Sequence, residues 1–268
     1  FHIKKSNYLE IYEVENLSKE KLEELCDLKQ PIIINNLDIT NSLTIESIKN
    51  SYARFDINLV NMSNSSDSLS IPINLSDSID LFNKDISCMY ISYNNFDFLE
   101  ETTLNKNFKN NDLFLRPYTI SNIYYDIIFG SVNSYTNLNY NLNYNNFFYI
   151  NSGSIEITLC PPKNHKYLYV KDANDNLEYI SKIDINNVDE SYKKEFDKIK
   201  LLRIVIIKGQ TIQIPAYWFY SLKILEKDTL ISSYKYRTFM NNVAILPQLA
   251  VKFMQDNNIK RNFTKIIN

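Results

Sequence analysis

From Tyr124 onward the chain repeats one pattern: short runs of Ile, Val, Tyr and Phe, each closed by turn residues. The runs are Tyr124–Phe129, Phe147–Ile150, Ile155–Leu159, Leu202–Ile207, Thr211–Ile214 and Thr229–Tyr236. Each has strand length and a β-rich composition. Short strands in series without intervening helices restrict a chain to a sandwich or a barrel, because every strand must find neighbours within the same set. Gly130, Gly153 and Gly209 are the three glycines, and all fall in this half. With glycine so scarce, they are expected where a tight turn, a positive φ or a close strand approach demands one. The insert 171–200 is polar and charged, which predicts a loop with a short helix around Glu190–Ile199.

The N-terminal third reads differently. Ser18 caps an expected helix over Lys19–Leu28, stopped by Pro31, and residues 31–35 (PIIIN) follow as a short buried strand. Thr44 is placed to cap a helix over Ile45–Ser51, and Ser76 one over Asp77–Asn83. Phe55, Ile57 and Leu59 alternate with polar residues in Arg54–Asn61, the pattern of a half-buried strand. Asn61–Ser70 is a loop by composition. After residue 237 a helical pattern returns, broken or started near Pro247, with Leu249, Val251, Phe253 and Met254 as its apolar side. No repeat or linker divides the chain, so one domain spans 1–268. In it, 17–110 packs onto a strand core at 111–237, and 238–268 forms a helical extension.

Composition removes several function classes. The net charge is -2 with both signs interspersed, so no electrostatic footprint for nucleic acid is present. Cys26, Cys88 and Cys160 are isolated, which argues against a disulfide framework or a zinc site. No run of roughly 18 apolar residues exists to cross a bilayer. A segment upstream of Phe1 is the one route to membrane association that this reading leaves. Asn, Ile, Lys and Tyr are all abundant, as an AT-rich genome would make them. Single Asn residues are therefore discounted, including the glycosylation sequons at Asn16, Asn61, Asn64, Asn74 and Asn262.

Two segments carry a more specific signal: YDIIFGSVNSYTNLNYNLNYNNFFYINSGSIEITLCPPKNHKYLY (125–169) and KGQTIQIPAYWFYSLKI (208–224). Both resemble the core of the JmjC-like cupins, the family of iron- and 2-oxoglutarate-dependent hydroxylases and demethylases. Members usually read G-x-x-x-S-x-T-x-x-H-x-D in the first segment and P-G-D-x-x-x-I-P-x-x-W-x-H in the second. The resemblance is good over about 110–240 and loose over 17–100. It implies a mainly β fold, a double-stranded β-helix (cupin or jelly-roll) barrel with helices at both ends. Gly130, Thr136, Gly153, Gly209, Pro215 and Trp218 are its fold-signature residues.

The family holds iron with two imidazoles and one carboxylate. Taking Thr136 as the threonine of the first pattern places Asn139 at the first histidine and Asn141 at the carboxylate. Pro215 and Trp218 place Tyr220 at the second histidine. Two neutral amides and a phenol are poor ligands for such an ion. The whole chain holds two histidines, His2 and His165, and neither begins an H-x-D or H-x-E. His165 lies in PPKNHKYLY, which is similar to a family loop where this position has no metal role. The Tyr-Leu-Tyr after it is expected to pack that loop onto the barrel. No G-x-S-x-G, P-loop or G-x-G-x-x-G is present, and Cys160 with His165 offers no activating geometry.

The expectation is a barrel kept without its chemistry: no catalytic residue, no metal and no cofactor. Tyr220 should project inward, with Asn139 and Asn141 near its hydroxyl. Such a domain would act as a structural or interaction protein whose partners are other proteins. The composition is similar to cupin-like proteins of large nucleocytoplasmic DNA viruses, which implies a minor capsid or virion component beneath the shell, with capsid proteins as partners. The alternative is a small-molecule or peptide binding module using a Tyr-rich face of Tyr140, Tyr144, Tyr149 and Tyr217, residues that ordinary sheet packing also explains. A third reading is an oxygenase with an atypical metal site.

Overall fold

Every run singled out above forms a strand, and the strands stack as two sheets. The computed structural model describes residues 5–37, 43–62, 70–171 and 177–266. His2, Lys4, Asn64 and most of the expected loop 61–70 lie outside them. In chain order the elements begin with β1 (Tyr12–Glu15), α1 (Lys19–Asp27), β2 (Ile32–Asn35), α2 (Ile45–Tyr52), β3 (Asp56–Asn61), β4 (Ser70–Asn74) and α3 (Leu75–Lys84). Next come β5 (Tyr90–Ser92), α4 (Phe96–Glu101), α5 (Asn105–Asn111), β6 (Ile120–Gly130), β7 (Asn139–Asn141), β8 (Asn145–Ser152) and β9 (Ser154–Cys160). A 3-10 turn (Pro162–Tyr167), β10 (Glu178–Ile180), α6 (Glu190–Phe196), β11 (Leu202–Ile207), β12 (Thr211–Pro215), β13 (Phe219–Ile224), β14 (Leu230–Thr238), α7 (Phe239–Ala244) and α8 (Leu246–Ile266) complete it.

Among the described residues the larger sheet has the order β1-β2-β12-β8-β14-β6-β5-β3-β4, and the smaller β10-β7-β13-β9-β11. All pairings are antiparallel except β1 with β2. The result is a mainly β sandwich with its helices at the periphery.

Strand alternation sorts the apolar residues into three clusters. Phe148, Ile150, Ile212 and Ile231 of the larger sheet join Ile155, Ile157, Leu222 and Ile224 of the smaller in one cluster, which is the filling between the sheets. The other face of the larger sheet presents Ile127, Phe129, Phe147, Tyr149, Tyr234 and Tyr236 to the helices, where Leu22, Ile48, Ile79, Phe98 and Phe108 cover it. The outer face of the smaller sheet holds Tyr140, Cys160 and Phe219 under Leu168, Leu177, Ile185 and Ile245. Each fully buried Ile or Leu contributes about 1.5–3 kcal/mol of transfer free energy.

The glycines meet local demands. A Cβ on Gly130 would stand 2.7 Å from the Tyr90 carbonyl oxygen, where β5 pairs with β6. Gly153 turns β8 into β9 at φ +71, and a Cβ there would meet the Thr229 side chain at 2.1 Å. Thr136 Oγ1 accepts from the Leu222 N–H at 2.9 Å, which fixes the segment before β7 against β13.

Several expectations need correction. The N-terminal third does more than pack on the strand core: β2 pairs with β12 and β5 with β6, so a continuous sheet crosses the boundary at 110. Ser76 is not a cap. Asn74 caps α3 by accepting from the Asp77 N–H, two residues earlier than expected. Ser18 and Thr44 do cap α1 and α2. α1 ends at Asp27, and Lys29 is left-handed at φ 56, so the helix has stopped before Pro31. The insert holds β10 besides its helix. The apolar side expected of the last helix is not a buried one: Leu249 packs on the outer cluster, but Val251, Phe253 and Met254 are exposed.

Candidate functional site

The space between the sheets changes character along its length, and the pairing registers show how. On the larger sheet Ile231 stands opposite Ile150 and Ile128, then Ser233 opposite Phe148 and Asp126, then Lys235 opposite Asn146 and Tyr124. Directly opposite residues share a face, so this ladder runs from apolar to charged. The smaller sheet matches it: Ile224 faces Ile155, Leu222 faces Ile157, and Tyr220 stands opposite Asn139. Asn141 in turn stands opposite Glu178 on β10. One end of the interior is therefore dry hydrocarbon, and the other gathers Asp126, Asn139, Asn141, Glu178, Tyr220, Lys235 and Arg237.

The three positions singled out by the sequence lie together here. Tyr220 is 4% exposed, its ring 5.3 Å from that of Phe148, and its hydroxyl accepts from Asn141 Nδ2 at 3.3 Å. Burial raises the Tyr220 pKa, so the phenol stays protonated. Asn141 Oδ1 accepts from the Asn143 N–H at 3.1 Å. Asn139 is on the same face, but its Nδ2 donates to the Asn137 carbonyl at 3.1 Å and its buried Oδ1 has no partner.

The charged members were not found from the sequence. Lys235 Nζ and Glu178 Oε1 meet at 2.6 Å across the gap between the sheets, with side chains 8% and 12% exposed. Burial alone would lower the Lys235 pKa, but the carboxylates of Glu178 and Asp126 and the hydrogen bond to Glu178 outweigh it and raise it. Asp126 accepts the N–H groups of Asn94 and Asn95, both at 2.8 Å, and so anchors the start of α4. Its burial pushes its pKa up to about 6, against the opposing pull of Lys235 and those two N–H groups. Arg237 donates Nε–H to Asn143 Oδ1 at 2.8 Å and lies over the Tyr124 ring at 5.0 Å.

The residues present do not fit the iron that the fold family implies. A divalent cation beside Tyr220 would meet one free neutral carbonyl and a protonated phenol, while the Glu178 carboxylate is already held by the Lys235 ammonium. Among the described residues no three His, Cys, Asp or Glu side chains are grouped to hold a metal. What the arrangement does provide is a set of hydrogen bonds and one ion pair, with the buried Asn139 Oδ1 and Ser233 Oγ left without a partner.

The remaining candidates are scattered. Trp218 is 1% exposed and donates Nε1–H to the Lys29 carbonyl at 3.0 Å. Pro215 closes β12. His165 is exposed on the 3-10 turn, its ring 5.8 Å from that of Tyr140, and burial together with Lys5 lowers its pKa. Of the turn's Tyr-Leu-Tyr, Leu168 is buried and Tyr169 exposed. The four tyrosines do not make one face. Tyr140 and Tyr217 lie on the outside of the smaller sheet. Tyr149 is under the helices, and Tyr144 donates its hydroxyl to Asp27 with Lys29 over its ring. Among the described residues no helix is long and apolar enough to cross a membrane.

A comparison with curated proteins finds no match to the chain. The family model described as "cupin-like domain" matches residues 19–242, from the first helix through the last strand of the sandwich. The chain therefore belongs to the cupin-like domain family.

Proposed function

We propose that this is a catalytically inactive cupin-like domain, a double-stranded β-helix in its finer topology, that serves as a structural or interaction protein. The observation carrying the reading is the Glu178–Lys235 ion pair beside the Asn141–Tyr220 hydrogen bond. Together they spend, on each other, the side chains at the end of the sandwich where a substrate and metal would need them. The ion pair also leaves the Glu178 carboxylate engaged by an ammonium rather than open to a cation.

The exposed apolar residues of α7 and α8 support the interaction half of the proposal. Phe239, Met240, Val243, Leu246, Phe253 and Met254 are each more than half exposed, and large apolar patches on a surface mark contact sites. The proposed partners are other proteins. On compositional likeness we place the domain in a virion beneath the capsid shell, with capsid proteins as those partners. Detection in purified particles by mass spectrometry checks that placement.

The activity claim is tested on protein reconstituted with Fe(II) under anaerobic conditions and then given oxygen and 2-oxoglutarate. The expected result is iron well below one per chain and no succinate above a protein-free control. Stoichiometric iron with steady succinate release would overturn it.

A further inference from the structure

β10 is a three-residue edge strand whose sheet neighbour is β7. The stretch around it, residues 177–185, turns Leu177, Tyr179 and Ile185 to the outer face of the smaller sheet. Leu177 and Ile185 pack into the outer cluster with Cys160, Tyr179 stacks on Tyr140 at 4.8 Å, and Asp184 accepts from the Tyr135 hydroxyl at 2.8 Å. Glu178 departs from this arrangement. Its carboxylate points into the interior and ends on Lys235 of the opposite sheet.

We infer that residues 177–185 form a strap across the polar end of the sandwich and that the Glu178–Lys235 ion pair is its latch. The physical reason is the cost of an unpaired charge. With Glu178 neutralised, the Lys235 ammonium stays buried without its ion-pair partner, and water reaches it most directly if the strap lifts. The strap's remaining ties are edge hydrogen bonds and outer contacts, whereas β8 and β14 have paired strands on both sides. Lifting the strap is therefore a smaller opening than unfolding the sandwich. The inference holds whether or not the domain turns over a substrate.

Two native thiols read the two kinds of opening. Cys160 is 0% exposed and shares its cluster with Leu177 and Ile185, while Cys26 is 1% exposed on the buried face of α1, on the far side of the larger sheet. Labelling of the folded chain with iodoacetamide, located by peptide mass, is followed at increasing sub-denaturing urea. In the wild type, Cys160 labelling should depend on urea more weakly than Cys26 labelling, because less surface is exposed. In Glu178→Gln the Cys160 rate should rise at least ~10-fold while keeping its weak urea dependence. Cys160 labelling with the full urea dependence of Cys26 would overturn the strap. An unchanged Cys160 rate in Glu178→Gln would overturn the latch. If that variant does not fold, the wild-type urea comparison still decides the first point and Lys235→Met repeats the second from the other partner.

Discussion

The two ends of the inter-sheet space share β6, β8, β13 and β14 and are held together by different physics. On one face of β14, Ile231 lies in hydrocarbon, and Lys235, four residues on, lies in an ion pair. At the apolar end burial is non-directional, so neighbours of similar volume replace one another at modest cost. At the polar end each group is stable only because a named partner is in place, so removing one exposes the need of the other. If the domain is inactive, as proposed, this difference explains how it keeps its shape without a metal centre. The hydrocarbon end fixes the sandwich, and the polar end needs only to be electrically and hydrogen-bond complete.

The sharpest way to break the comparison is to remove Lys235. Lys235→Met should cost about 3–5 kcal/mol, since it leaves the Glu178 carboxylate buried without a cation. Adding Glu178→Leu should recover most of that loss, and urea unfolding of the four-member cycle measures the coupling. Simple additivity of the two single losses would sink the account of this end. At the other end Ile157→Ala should cost about 2–5 kcal/mol through lost burial and a cavity, with no second substitution of charge able to restore it.

Asp126→Asn should cost about 1–3 kcal/mol, because an amide oxygen and an amide nitrogen replace two acceptors of backbone N–H groups. Its pH dependence has a definite sign. The folded pKa of about 6 lies above the ordinary 3.8, so the native state binds this proton more tightly than the unfolded chain. The corresponding stability is fully present below the unfolded value and is lost as pH rises through the folded one. Asn does not titrate, so the deficit of the variant should shrink between about pH 4 and pH 6. Unfolding midpoints across that range check it, and a widening gap would contradict the assignment. Tyr220→Phe, which removes one hydroxyl at 3.3 Å from Asn141, should cost only about 0.5–1.5 kcal/mol in the same assay.

The strands were legible because period-two patterns and turn residues are local. The helix over Lys19–Asp27 was equally so, since Ser18 and the apolar stripe sit within one turn of what they specify. The polar end was only half legible. Asn139, Asn141 and Tyr220 stood out against a family pattern, but Lys235 and Arg237 alternate with tyrosines, as solvent-facing residues of an ordinary surface strand do. β14 is a central strand with both faces covered, and that follows from pairing at long range rather than from its own letters. Glu178 was hidden for a similar reason: it sits in a charged insert, and no local signal tells an inward carboxylate from a solvated one. Discounting asparagine as compositional noise also concealed buried network members such as Asn95, Asn143 and Asn146. Asp126 did carry a signal, being an acid within the apolar run YDIIF.

The central claim of the proposal is that Lys235, paired with Glu178, occupies the polar end in place of a metal. Titration with Mn(II), a spectroscopic stand-in for the ferrous ion, tests it most directly. The account predicts that the electron paramagnetic resonance signal of hydrated Mn(II) keeps its full intensity in the presence of excess folded protein. Loss of that signal at one ion per chain, restored by Asn141→Ala, would contradict it.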